Sequence, residues 1–218
     1  MAKAWMPGAE RIDGGLVRTI NGIGAPRAVW TVTGTDPNAW SAREEARRLI
    51  HEGAAAHLVW NPVNGKVAQS LAATHRAGIA LGGASMGEHH VDHGDEGRVC
   101  LVVAVVATEG EPFTEGPMVG LFGLLEWLDS WGVPRTWPAG PPGFKNMGPE
   151  QARRTWSRGG HFGHDQVPGS TSTAPGHIHP ERVLAEFSGL AKEQEVKAPS
   201  GDSSTSDEHP EWRPSVMT

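Results

Sequence analysis

The stretch Arg98–Ala107, RVCLVVAVVA, constrains the fold more than any other part of the chain. Nearly every residue in it is aliphatic or β-branched, so neither side of an extended chain here can face water. Such a run belongs in the middle of a sheet covered on both faces. It is also far shorter than the roughly 18 to 20 apolar residues that a bilayer span needs, and no longer apolar run occurs. The reading is an α/β protein without a membrane span. Cys100, the only cysteine, lies inside this run. A single cysteine excludes an internal disulfide framework and a cysteine-rich zinc module, and its place predicts a buried structural thiol.

Other segments supply the partners of that central strand. Ala28–Thr33 (AVWTVT) is a short β-branched run closed by the turn-forming residues Gly34–Asn38, which predicts a strand. Ser41 followed by Glu44 forms a capping box, with Ala42, Ala46, Leu49 and Ile50 along one helical face. His57–Trp60 and Lys66–Leu71 bracket Asn61-Pro62-Val63-Asn64-Gly65, a β-hairpin signature. From Pro117 to Trp131 the residues Met118, Leu121, Phe122, Leu125, Leu128 and Trp131 recur at helical spacing, and Gly132 with Pro134 ends the helix. Leu121, Phe122, Leu125 and Leu128 are assigned to its core face. Residues 133–180 are rich in Gly and Pro, with a short helix near Pro149–Ser157. A loop region of that length carrying tryptophans and histidines points to function. Pro180–Leu190 then predicts a closing helix.

The ends read differently. Residues 1–11 are expected to be a flexible lead-in, residues 12–191 the domain, and residues 192–218 a disordered tail too poor in apolar side chains to support a core. Met1–Arg11 lacks the apolar centre of a signal peptide, so the expectation is synthesis in the cytoplasm, with action at the cell wall if the protein is released or phage-borne. With 25 acidic against 19 basic residues the net charge is −6 over 218 residues. No basic stripe is available to neutralise phosphates, which excludes nucleic acid as the main partner. An arginine-heavy, glycine-rich composition without tyrosine suggests high-GC coding and an actinobacterial or actinophage source.

Eleven histidines include two groups, His89, His90 and His93 in GEHHVDHGDEG, and His161, His164, His177 and His179 in GGHFGHDQVPGSTSTAPGHIHPE. Zinc sites draw on about four positions filled by His, Cys or carboxylate, so either group could contribute ligands. A solvated loop is the simpler reading of the first.

The second group is more specific. GGHFGHDQVPG followed by STSTAPG resembles the carboxy-terminal part of the zinc-dependent type 2 N-acetylmuramoyl-L-alanine amidases, which share a fold with peptidoglycan recognition proteins. WTVTGT resembles the family's first strand, AAAHLVWNPVNGKVAQSL the hairpin after its first helix, and LLEWLDSWGVPRTWPAGPP the stretch preceding the late loop in actinobacterial members. The likeness runs from about Ala25 to Leu190. It implies a central mixed β-sheet flanked by helices and, in active members, hydrolysis of the amide between N-acetylmuramic acid and L-alanine. There Zn²⁺ lowers the pKa of a bound water and polarises the carbonyl.

This sequence departs from that pattern. His164 matches one family ligand. The first-strand ligand position falls at Thr31 and the third at Ala174; a methyl cannot ligate, and a neutral hydroxyl is a poor substitute for imidazole. The glutamate that many relatives carry on the central strand aligns with Ala104, and a lysine found in some relatives aligns with Ser172. The expectation is therefore a catalytically degraded amidase-like domain without a cofactor, binding peptidoglycan or a muropeptide through His161, His164, Asp165, Gln166, Trp156 and Arg158. Trp137, Trp156 and the arginines are expected at the surface, with Trp30, Trp60, Trp127 and Trp131 mostly in the core. Two alternatives remain: a zinc amidase rebuilt from His161, His164, His177 and His179, perhaps with Asp165, and a scaffold or phage structural protein that binds another protein.

Overall fold

Six strands form one mixed sheet in the order β1 (Glu10–Arg11), β4 (Val67–Gln69), β3 (Leu58–Trp60), β7 (Cys100–Val105), β2 (Arg27–Val32) and β8 (Gly160–Gly163). Every residue of β7 is buried, as its all-apolar sequence requires. It pairs in parallel with β2 along its whole length, Arg27 opposite Cys100 through Val32 opposite Val105, and in parallel with β3 on its other side. β8 (Gly160–Gly163) extends the parallel set beyond β2, and β4 (Val67–Gln69) folds back antiparallel on β3 as the Asn-Gly turn predicts. A separate two-stranded sheet, β5 (Gly83–Met86) and β6 (His89–Asp92), stands in place of the solvated loop expected around His89, His90 and His93, and Asp92 and His93 are buried. The computed structural model describes residues 1–185 except 16–17, 20–21, 87–88 and 144–146, and for 84–91 only the backbone.

Strand alternation divides the core into two layers. On one side Val29, Val59, Ala68, Val102, Ala104 and Phe162 pack with Ala42, Ala46 and Leu49 of α1 (Ala42–His51) and with Trp156, at the end of α3 (Pro149–Trp156). Ser41 and Glu44 cap α1 reciprocally, as expected. On the other side Trp30 and Trp60 meet edge to face at 6.4 Å, and Phe113 lies against both. Trp60 Nε1 donates to the Val119 carbonyl at 2.8 Å, which sets the start of α2 (Leu121–Ser130) over this layer. Burial pushes the Cys100 thiol up to about 12, an inert thiol as expected.

Three expectations change. The long helix begins at Leu121 rather than near Pro117, because Met118 and Gly120 take positive φ and cannot continue a right-handed helix. Phe122 is 42% exposed, while Leu124 and Trp127 join Leu121, Leu125 and Leu128 in the core. The buried set is spaced at 3 and 4 from Leu121, and Phe122 falls off that stripe. Residues 1–11, expected as a flexible lead-in, are tied down. Glu10 and Arg11 form β1 on β4, Lys3 O accepts from both Trp127 Nε1 (2.9 Å) and Trp131 Nε1 (3.1 Å), and Met6 N donates to Gln69 Oε1 at 2.6 Å. Gln69 is fully buried, and its Nε2 also donates to Ala4 O and Leu71 O.

Met1–Ala185 make up one compact unit, and no described helix is long and apolar enough to cross a membrane. The closing helix is present as α4 (Pro180–Val183). It ends at Val183 rather than running on as expected, since Leu184 and Ala185 leave the helical conformation; residues 186–190 and the tail expected over 192–218 lie outside the described residues.

Leu125→Ala is expected to lower stability by about 2 to 5 kcal/mol, since it opens a cavity in the core. Phe122→Ala should change it by less than about 1 kcal/mol. Deleting residues 1–9 should lower the melting temperature as well, and Gln69→Leu should reproduce part of that loss. Thermal unfolding of the four variants beside the parent checks these outcomes; an unchanged melting temperature after the deletion would show that the amino-terminal arm is dispensable.

Candidate ligand crevice at the carboxyl ends of the parallel strands

β3, β7, β2 and β8 all point the same way, so the loops leaving them emerge at one edge of the sheet, the edge where open α/β sheets hold ligands. Thr31, the second-last residue of β2, is 6% exposed and lies in register with Ala104 on β7, which is in turn in register with Val59 on β3. His164 opens a short 3₁₀ turn directly after β8. Its Nδ1 lies 3.5 Å from Thr31 Oγ1, and its Nε2 is 3.2 Å from the Ala80 carbonyl oxygen. A carbonyl can only accept, so Nε2 carries the proton and Nδ1 is the acceptor that faces the threonine hydroxyl. Burial lowers the His164 pKa, outweighing the opposing effects of the Ala80 carbonyl and the Asp92 charge, and the ring is neutral at pH 7.

Ala174 is buried beside this turn, its carbonyl accepting from Asp165 N at 2.8 Å. The loop leading to it is shaped by two serine hydroxyls, Ser170 accepting from Ser172 N and Ser172 from Ala174 N. Thr31, Ala104, His164 and Ala174, far apart in sequence, thus gather at one end of the sheet. The donor set does not fit zinc, which needs three protein ligands in a catalytic site. Among the described residues no three His, Cys, Asp or Glu side chains are grouped so as to hold a metal ion.

The other residues expected to bind have different places. His161 is fully buried on β8, where alternation turns it toward Trp30, away from the Thr31 side. Its Nδ1 accepts from Trp30 Nε1 at 3.0 Å, its ring stacks with Trp30 and Trp137, and burial pushes its pKa down to about 3. It is a core residue rather than a surface contact. Asp165 is buried, and its Oδ2 accepts from Gly143 N at 2.7 Å. Gln166 spends its amide inside the protein: Oε1 accepts from Trp137 Nε1 (2.7 Å) and Gly163 N (2.9 Å), and Nε2 donates to Gly140 O (2.7 Å). Asp165 Oδ2 and Gln166 thus clamp the 137–143 loop, and the Gln166 amide is spent there.

Trp156 is a further correction, being 2% exposed. The last turn of α3 directs it inward onto Phe162, with ring centroids 4.8 Å apart. Its indole donates to Glu96 Oε2 at 2.8 Å, and the Arg27 guanidinium lies 4.7 Å over its ring. Arg153, Arg154 and Arg158 remain exposed, and Trp137 is half-buried. His177 and His179 are exposed on either side of buried Ile178. His179 contacts Glu181, and His177 lines a cleft of about 330 Å³ with Glu109, Asp165 and Thr173. In the first histidine group, His93 is buried with Nδ1 2.8 Å from Glu96 Oε1, whereas the His89 and His90 side chains lie outside the described residues.

Sequence reading missed three buried polar hubs. His57 accepts from Val102 N at Nδ1 (3.0 Å) and donates from Nε2 to His75 O (2.8 Å), and burial pushes its pKa down to about 4. Gln69 holds the amino-terminal arm. Asn61 donates to both Pro37 O (2.8 Å) and Trp40 O (3.0 Å) and accepts from Val63 N. Only Asn61 had a signal, its place at the head of an Asn-Pro-Val-Asn-Gly turn.

No family model matches the sequence, and no curated protein does. Solved structures similar to it include an AmpD derivative, a hydrolase and a phage endolysin. A selenomethionine AmpD derivative has 13% identity and a TM-score of 0.44, with 81% of this chain and 92% of that one covered. The Staphylococcus aureus hydrolase AmiA, solved with its ligand, has 13% identity and a TM-score of 0.48, covering 78% of this chain and 74% of its own. The Ph2119 endolysin of a Thermus scotoductus bacteriophage has 18% identity and a TM-score of 0.43, covering 78% and 88%. Likenesses this distant carry no conclusion about chemistry.

His57 and His161 make stability fall with acid. Both have folded pKa values below the ordinary 6.5, at about 4 and about 3, so below pH 6.5 the unfolded chain takes up protons that the folded chain refuses. Their stabilising effect is complete above pH 6.5 and is lost as pH falls toward those values, by up to about 1.4 kcal/mol per pH unit for each histidine. The melting temperature is expected to drop between pH 7 and 5, ahead of carboxylate protonation. His57→Gln should be less stable at pH 7.5 yet show a shallower fall; equal slopes would remove His57 from the account.

Proposed function

We propose that this domain recognises peptidoglycan or a muropeptide fragment in a groove of the type 2 amidase kind and does not cleave it. The observation that carries the reading is the meeting of Thr31, Ala104, His164 and Ala174 at the carboxyl ends of the parallel strands. The resemblance in sequence alone picks out these four positions, and a wrong alignment would scatter them over the molecule. Their convergence supports the alignment, and with it the replacement of two zinc ligands and a proton-transfer carboxylate by groups that cannot do that work. What is left is a neutral imidazole whose Nε2–H goes to the Ala80 carbonyl, beside a threonine hydroxyl whose oxygen can still accept from an amide N–H or a sugar hydroxyl. Against a rebuilt zinc site stands the place of His161, buried in the tryptophan layer.

Two experiments test this. Purified protein should hold well under one equivalent of zinc, release no stem peptide from cell-wall preparations, and still sediment with them. His164→Ala should weaken wall binding by about 0.5 to 3 kcal/mol, and should also lower the melting temperature a little, because its contacts to Ala80 O and Thr31 go. Gln166→Ala should lower the melting temperature more, because three internal hydrogen bonds go. The double replacement Thr31→His with Ala174→Asp should raise zinc affinity if the backbone keeps ligand geometry. Stoichiometric zinc in the parent, lost together with hydrolysis in His164→Ala, would overturn the reading.

A further inference from the structure

Six large apolar side chains are left exposed among the described residues, and three of them, Trp40, Val63 and Val119, lie around one buried hub. The hub is Asn61, fully buried, whose amide ties the 36–40 turn to the 61–65 turn through Pro37 O, Trp40 O and Val63 N. Val119 N donates to Pro62 O at 2.8 Å, and a Cβ on Gly65 would lie 2.8 Å from Val119 Cγ1, so the segment leading into α2 packs on the same turn. Trp40 is 40% exposed, and its backbone is fixed at both ends, its N–H to Asp36 O (3.0 Å) and its C=O to Asn61. The backbone that carries the ring is thus fixed, while the ring itself stays partly exposed. Folding leaves this indole partly in water on an anchored turn, and exposed apolar residues gathered at one place mark binding surfaces.

We infer that Trp40 is a stacking platform for a sugar ring of the wall glycan, an inference that rests on the wall-recognition reading above. A pyranose has an apolar C–H face and a rim of hydroxyls, so it matches an aromatic face bordered by polar groups. Polar groups for such a rim are carried by the same turn, at Asp36 and Asn38, and by the turn that Asn61 ties to it, at Asn64; all three are exposed, and Asp36 Oδ1 is already oriented by Asn38 N and Nδ2 at 2.8 and 3.0 Å. The turn bearing Trp40 leaves the end of β2, the strand that carries Thr31, so the platform stands at the same edge of the sheet as His164. A ligand held at His164 by its amide would extend its glycan toward this end. Asn61 acts as a positioning residue, setting where the indole stands.

The test uses the full chain with two probes, insoluble cell wall in a sedimentation assay and a soluble N-acetylglucosamine tetramer titrated by tryptophan fluorescence. Trp40→Ala should weaken both by about tenfold or more with an unchanged melting temperature, and Trp40→Phe should recover most of the affinity. Asn61→Asp, which removes the two donors to Pro37 and Trp40, should weaken tetramer binding although the indole is still present. Wall binding by the parent with equal binding by Trp40→Ala overturns the platform and leaves the wall reading standing. A glycan-free stem peptide that binds with the same dependence on Trp40 also overturns it, as does a parent that binds wall but not the tetramer. A parent that binds neither probe overturns both.

Discussion

The parallel ladder between β2 and β7 is the contact on which the rest of the molecule depends. It joins the most apolar segment of the chain to the strand that carries both Trp30 and Thr31, and by alternation it sends those two residues to opposite layers. One register therefore sets the tryptophan layer under α2 and the threonine beside His164. A slip by one residue would exchange them, placing an indole at the crevice and a hydroxyl in the core. β8 then joins β2 and repeats the division, with His161 going to Trp30 and the turn after Gly163 bringing His164 to Thr31.

Around this ladder, buried side-chain amides and an imidazole do what short loops cannot do alone. Gln69 satisfies the arm, Gln166 the 137–143 loop, Asn61 the turns after β2 and β3, and His57 the Val102 and His75 backbone. Each supplies donors and acceptors to main-chain groups that no strand or helix reaches, and burial makes each bond costly to lose. The late-loop motif is accounted for in the same terms. His164 faces the crevice, while Asp165 and Gln166 hold a neighbouring loop. The motif thus has a structural role of its own, independent of any ligand.

The sheet is legible in the sequence because its strands are marked by composition. Arg98–Ala107 can be nothing but central, the Asn-Gly turn specifies the hairpin, and Ser41 with Glu44 marks the start of α1. The crevice is legible by spacing, since the resemblance groups Thr31, Ala104, His164 and Ala174 and the fold brings them together. What stays hidden depends on orientation. Trp156 and the arginines beside it share one helical turn, and only the packing on Phe162 decides which point inward. Gln166 in a glycine-rich loop looks like a ligand contact until its three partners, up to 29 residues away, are known. The arm before Glu10 has no periodicity of its own; its order comes from Gln69 and two indoles distant in sequence.

One edge of the sheet has a further meaning. The outward N–H groups of β8 are already taken, His161 N by Thr136 O at 2.8 Å and Gly163 N by the Gln166 side chain at 2.9 Å. An edge strand with free donors is a template on which another chain can pair. Here the chain's own loop and a glutamine occupy that template, so this border cannot recruit a strand from a neighbouring molecule without first giving up bonds it already has. The same glutamine that shapes the 137–143 loop therefore also closes this border of the sheet, and replacing it would leave the Gly163 N–H open to a neighbouring chain.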